Sequence, residues 1–383
     1  DFGGANVVGH LEKHFPGEEV ADPAKTYFTF DCNVPANTIG YANNQHICRL
    51  FARREGVHLH DVDAGIGSHI MIEQGIAVPG TTVVGTDSHL NILGAVGAFG
   101  QGMGDQDIAF GFRTGRTWFE VPETIRIEVR GTYEFPTTAK DLTLYIVGKL
   151  GSKGLLGCAA EFYGEAVDAL SLAERITLAS MVTEMGGIIG FIPPSDDILA
   201  FFRARTGRAD IPTVQADPDA TYVRTVEVDV TGLDPQIALS PKPDKVVPVR
   251  EVGDITVDSV FIGSCTNGRM EDLQAAARLL KGRQVAPGVM LRIVPATREV
   301  WREMLSSGLM AELAAAGAII SNQGCGGCAS GQIGMTGKNE VQVSTGNRNF
   351  AGKQGDGFTY LASPVTAAAA ALTGRIVTPE DVL

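Results

Sequence analysis

The stretch VDSVFIGSCTNG, residues 257–268, decides the fold. An apolar run ends in a glycine and then a cysteine, and MEDLQAAARLL from Met270 onward carries the apolar spacing of a helix, expected over 270–281. Strand, tight turn and helix in that order form one half of a parallel-sheet unit. The pattern repeats downstream: GVMLRIVPA at 288–296 leads to a helix expected over 299–315, and AGAIIS at 316–321 leads to the loop QGCGGC at 323–328. Working upstream, KTYFTFD (25–31) leads to a helix near 39–54, and TTVVGTDSH (81–89) leads to a glycine-rich segment. After TWFEVPETIRIEVRG (117–131), helices are expected at 139–150, 171–185 and 196–206. Residues 211–255 are rich in Pro, Asp and Val without helical periodicity, which reads as a linker holding one strand, in TYVRTVEVDV. The class is α/β with mainly parallel sheets, divided as 1–122, 123–228 and 229–383.

A chain of 383 residues exceeds what one hydrophobic core usually spans. No apolar run approaches the roughly 18 residues that a membrane span needs. The net charge of −13 leaves no broad basic footprint for nucleic acid. Six scattered cysteines do not make a disulfide framework and fit reduced thiols in a cytoplasm. The opening DFGGANVVGHLEKHF has neither the basic start nor the apolar core of a signal peptide, and without Met at position 1 it need not be the native start.

Cys265 stands where a parallel strand should end, and Cys325 and Cys328 form a CxxC after the next apolar run but one. Open α/β sheets place ligands at such strand ends, so three thiolates are expected at one edge. The residues alone leave a redox dithiol, a zinc site and the corner of a cluster open. The surrounding glycines weigh against the first, and the lack of a fourth ligand nearby in sequence weighs against the second.

GSCTNGRMEDL (263–273), GCGGC (324–328) and NRNFAGKQG (347–355), in this order, resemble the aconitase and isopropylmalate isomerase superfamily. VVGTDSHLNILGAVGAFGQGMGDQDIA (83–109) resembles its DSH region, and GIGSHIMIEQGIAVPG (65–80) the histidine segment before it, so the likeness runs along essentially the whole chain. It implies an aconitase-like fold: three α/β domains around a central cluster site, without the swivelling fourth domain. It also implies one [4Fe–4S] cluster on Cys265, Cys325 and Cys328, with one iron open to substrate. By the same resemblance Asp31, His69, Asp87, His89 and Glu184 handle protons around a substrate hydroxyl. Ser88, Arg348 and Lys353 bind the substrate, a small di- or tricarboxylic hydroxy acid, and Asn347 and Ser180 lie beside the cluster. The implied activity is that of a hydro-lyase large subunit that isomerises 2-isopropylmalate and 3-isopropylmalate by dehydration and rehydration. Homoaconitate, citraconate or dimethylmalate hydration are the alternatives. The swivelling domain would come from a separate small subunit, in a heterodimer or heterotetramer.

Three positions depart from the family pattern. Cys32 stands where the family has the His of an Asp-His pair, Ser180 where it has Asn, and Lys353 where it has Arg. Cys32 reads as a small buried residue rather than a group at the cluster. A thiol does not replace imidazole near neutral pH without a strongly shifted pKa. Lysine keeps a charge but loses the planar two-point grip on a carboxylate. A cluster-bearing scaffold or sensor without turnover is the rival reading.

Overall fold

The sheet built on residues 259–262 is the largest of four in the computed structural model, which describes residues 2–328 and 332–383. Its seven strands lie in the order Val246–Pro248, Gln236–Ala238, Phe358–Ala362, Val341–Ser344, Ser259–Ile262, Met290–Ile293 and Ile319–Ile320. The last five are mutually parallel; the first two join antiparallel at one edge. Every residue of Ser259–Ile262 is buried, which explains the unbroken apolar reading of a strand covered on both faces.

The chain path matters more than the strand count. From Ser259–Ile262 it runs outward through Met290–Ile293 to Ile319–Ile320, then returns to lay Val341–Ser344 on the other side of the first strand. Strand order reverses there, and such a reversal opens a crevice outside the carboxyl ends of the two strands. Segments 263–268 and 345–350 leave the sheet at that place.

Helices Met270–Leu280 and Pro364–Thr373 pack together over this sheet. The second, PVTAAAAALT, starts where Ser363 Oγ accepts the Thr366 N–H and Pro364 fills the first turn, and it stops at Gly374 with φ 69°. Its buried alanines let it lie close to its neighbours. Val260, Ile262, Leu273, Leu280, Leu291, Ile293 and Val343 join them in one core. Each large side chain so buried contributes about 1.5–3 kcal/mol.

A second sheet, all parallel, has the order Gly190–Phe191, Ala159–Tyr163, Thr124–Arg130, Arg224–Asp229. Its core of Ile125, Ile127, Val129, Leu142 and Phe162 also takes in Ala238 and Leu361 from the large sheet. Two small parallel pairs, Tyr27–Thr29 with His58–His60 and Thr82–Gly85 with Phe99–Gly102, complete the set. No helix among the described residues is long and apolar enough to cross a membrane.

The segment expected as a linker holds more than Arg224–Asp229. Gln236–Ala238 and Val246–Pro248 form the antiparallel edge of the large sheet, and strands of three residues are too short to show periodicity. The helix expected over 299–315 is two, Arg298–Ser306 and Leu309–Ala315, because Gly308 takes φ 82° between them. That expected over 171–185 is Leu172–Ser180 followed by a tighter turn, Met181–Met185.

Candidate metal centre and active site

Gly263 and Ser264 turn the chain sharply at the end of strand Ser259–Ile262. Gly263 has φ 152°, and a Cβ there would meet the Val294 carbonyl oxygen at 2.4 Å; Ser264, at φ 72°, is left-handed without being glycine. Strain of this kind persists only where the surroundings enforce it. Thr345 supplies part of that enforcement, since its Oγ1 accepts the Gly263 N–H at 2.9 Å and donates to the Gly263 carbonyl at 3.1 Å. Cys265 is thereby presented across the crevice to Asn347, whose Nδ2 donates to Cys265 Sγ at 3.3 Å.

The CxxC arrives from the far side of the sheet. The Cys325 N–H donates to the Asp31 carbonyl at 2.8 Å, and Gly326, at φ 60°, lies where a Cβ would press on the Phe261 ring at 2.6 Å. Cys325 packs with Cys265 in one cluster that includes Ile66 and Ala296. The thiols also feel each other and their neighbours. Burial, then Cys328 and Asp87, push the Cys265 thiol up to about 12. Cys325 is raised by its hydrogen bond with Cys32 and by burial, and Cys328 is raised by burial while Lys353 and Arg348 pull it down. All of the cysteines are free thiols. Soft donors held protonated by burial are stabilised as thiolates only when a cation replaces the proton.

Asp31 and Cys32 stand beside this group. One ligand atom from each of Asp31, Cys32 and Cys325 lies within 4.8 Å of the others, so Cys32, expected as a buried filler, stands half-buried against the CxxC. The Asp31 carboxyl accepts the Gly67 N–H at 3.0 Å and is pushed up by burial and by Asp87.

The proton-handling candidates form a closed ring. Glu184 Oε1 takes His89 Nε2 at 3.0 Å and accepts from Arg348 Nε at 2.9 Å. Arg348 Nη1 donates to Ser88 Oγ at 3.4 Å, and Ser88 Oγ meets His89 Nδ1 at 3.3 Å. A carboxylate oxygen is an acceptor, so the hydrogen on His89 Nε2 points at Glu184. Asp87 Oδ1 fixes the turn by accepting the His89 N–H at 2.9 Å. His89 and Glu184 are buried, Arg348 is half-buried and Ser88 is exposed, so the ring opens to solvent on one side.

His69 is fully buried and both of its ring nitrogens are engaged by protein. Nε2 lies 2.9 Å from the Cys265 carbonyl, which can only accept, so Nε2 carries the hydrogen and Nδ1 faces Arg269 Nη1 at 3.4 Å. Burial and the Arg269 charge hold its pKa down, at about 3. Ser180 is buried too, its Oγ bonded back to the Thr177 carbonyl at 2.8 Å within its own helix. Lys353 is half-buried, its charge felt by Cys328.

Sequence reasoning missed several groups that hold these in place. Lys140 is buried and donates from Nζ to the Thr345 and Gly346 carbonyls, 2.9 Å each, tying helix Ala139–Leu150 to the loop of Asn347 and Arg348. Burial lowers its pKa to about 7, against the pull of Cys265 and Asp272. Thr177 Oγ1 donates to the Thr266 carbonyl at 2.9 Å. Arg269 Nη1 pairs with Glu73 Oε1 at 3.1 Å, and Thr297 Oγ1 donates to the same oxygen at 2.9 Å. Arg269 does lie within the quoted motif GSCTNGRMEDL and Lys140 within an expected helix, but nothing local distinguishes a buried cation from a solvated one.

The family described as aconitase (aconitate hydratase) matches residues 1–254 and 250–374. The chain is 42% identical, over its whole length and 92% of the other's, to a 3-isopropylmalate dehydratase large subunit 1 of Methanopyrus kandleri. It is 43% identical to a protein of Methanosarcina mazei named "Probable methanogen homoaconitase large subunit", with 97% of this chain and 94% of that one covered. A similar fold occurs in Thermococcus kodakaraensis aconitase X, at a TM-score of 0.53 and 13% identity over 90% of this chain and 79% of that one. The chain belongs to the aconitase family.

Proposed function

We propose that this chain is the large subunit of an iron–sulfur hydro-lyase that interconverts 2-isopropylmalate and 3-isopropylmalate by dehydration and rehydration. Membership of the aconitase family implies an iron–sulfur cluster. The observation that carries the reading is geometric: Asn347 reaches Cys265 from the loop that carries Arg348, Arg348 bonds Glu184 beside His89, and the Cys325 N–H is bonded to the Asp31 carbonyl, while Cys328 feels the charges of Lys353, Arg348 and Asp87.

The donor set fits a [4Fe–4S] cluster: soft thiolates suit cluster iron, and Cys265 and Cys325 each feel the charge of Cys328. The three cysteines would hold the cluster, with Asn347 donating to the Cys265 sulfur. When bound, it would supply a Lewis-acidic iron to polarise a substrate hydroxyl.

Around it, the chain's own groups divide the remaining work. Arg348 binds a substrate carboxylate, and Lys353 supplies a second positive charge. Glu184, His89 and Ser88 form a continuous hydrogen-bonded path along which the proton of the departing hydroxyl can move, with Asp87 setting its geometry. His69 is a positioning residue, because both ring nitrogens are committed to the Cys265 segment and Arg269. The base for the carbon-bound proton is assigned to a small subunit, which the names of the relatives support.

Homoaconitate hydration is the second reading, favoured by the 43% identity to the Methanosarcina protein. The test is anaerobic purification with the candidate small subunit, iron and sulfide analysis, and the ultraviolet absorbance of the alkene acid from each hydroxy acid. Turnover of the isopropylmalates at a kcat/KM at least tenfold above homocitrate supports the first reading. An intact cluster with no turnover of any malate derivative overturns the enzyme assignment.

A further inference from the structure

We propose that Cys32 and Cys325 form a reversible disulfide when the cluster is absent, closing the site until the bond is reduced. The proposal rests on the reading of Cys325 as a cluster ligand. It starts from the backbone. The loop of residues 31–34 is stitched to the CxxC loop by the Cys325 N–H on the Asp31 carbonyl at 2.8 Å, and by Asn322 Nδ2 and Gln332 Nε2 on the Val34 carbonyl at 2.6 and 3.4 Å. Gly324 lets the two chains touch, since a Cβ there would lie 2.9 Å from both the Asp31 oxygen and Val34 Cγ2.

The Cys325–Asp31 bond and standard peptide dimensions hold the Cα atoms of residues 32 and 325 to about 7 Å at most, at or within the span a disulfide accepts. The two sulfurs lie within 4.8 Å and share a hydrogen bond. Side-chain rotation closes that gap without breaking the backbone bond. Both thiols are half-buried, as are Cys158 and Cys328, whereas Cys48 and Cys265 are buried, so a small reagent can reach this pair, and its closeness selects it.

The chemistry balances with a small-molecule disulfide as oxidant. The Cys32 thiolate attacks it and expels one thiolate; the Cys325 thiolate then attacks the Cys32 sulfur and expels the second. Two protein thiols lose two protons and two electrons, and the reagent becomes two thiols. With the cluster in place Cys325 is committed to iron, so the bond forms only after cluster loss, and it spares the ligand from irreversible oxidation.

The test uses the full chain. Iron and sulfide are first measured on anaerobic protein, which judges the cluster reading separately. The cluster is then chelated away, the protein is equilibrated in oxidised and reduced glutathione, free thiols are alkylated, and linked peptides are assigned by fragmentation mass spectrometry. The expected result is a Cys32–Cys325 link at least tenfold more abundant than any Cys325–Cys328 link, lost in Cys32→Ser and kept in Cys328→Ser. A dominant Cys325–Cys328 link, or Cys32 and Cys325 both fully alkylated under oxidising poise, overturns it.

Discussion

Replacing Arg269 by Met tests whether burial, and not ion-pair distance, decides what holds the Cys265 segment. Arg269 and Glu73 pair at 3.1 Å with side chains only 12% and 7% exposed. Arg298 and Asp63 pair at the shorter distance of 2.6 Å but are 43% and 58% exposed. Distance alone ranks the second pair higher. At an effective dielectric near 20 the Arg269–Glu73 attraction is about 5 kcal/mol, most of it offset by taking both charges out of water. Removing one partner is different, because it strands the other charge, typically at about 3–5 kcal/mol. Glu73 limits the loss: burial already raises its pKa, Arg269 is the main group lowering it, and without Arg269 it moves further toward the neutral form. We expect about 3 kcal/mol for Arg269→Met and under about 1 kcal/mol for Arg298→Met. Adding Glu73→Gln to Arg269→Met should recover about 1–2 kcal/mol, since no unpaired charge is left. A chain with several sheets need not unfold in one step, so the readout is hydrogen exchange of the amides in helices Gly67–Glu73 and Met270–Leu280. Equal effects of the two arginine substitutions would refute the reasoning.

Other outcomes follow from the same geometry. Arg348→Lys cannot reach Glu184 and Ser88 together, so KM for the hydroxy acid should rise about 10- to 100-fold with stability changed by less than about 1 kcal/mol, measured by steady-state kinetics with the small subunit. Lys353→Arg restores a planar two-point donor and should lower KM about three- to tenfold in the same assay. Burial raises Asp141 to about 6 and Asp272 to about 7 from an ordinary 3.8. Both bind more protons folded than unfolded, so the stability they contribute is full below about pH 4 and lost as pH rises through about 6 and 7. Urea midpoints of metal-free protein between pH 4 and 8 should show that fall, with Asp272→Asn flatter than wild type between pH 5 and 7.

The sequence by itself determined that this is an α/β chain with a parallel sheet, because the buried strand Ser259–Ile262 needs apolar side chains on both faces and the helix after it keeps its period. It also marked Cys265, Cys325, Cys328, the DSH triplet and the NRNF loop, since motif residues are read locally. Tertiary structure decided who faces whom. The reversal of strand order sets Asn347 against Cys265 across 82 residues, and the Arg348–Glu184 bond spans 164. It brought Cys32 to Cys325, where the residue type alone suggested a core filler, and it set His69 Nε2 against the Cys265 carbonyl. The short edge strands of 236–248 were illegible because three-residue strands show no period and take their place only by pairing with a sheet already formed. Lys140 and Arg269 were illegible for a related reason. A cation's burial depends on what distant segments lay over it, and that is a property of the packed chain rather than of any window along it.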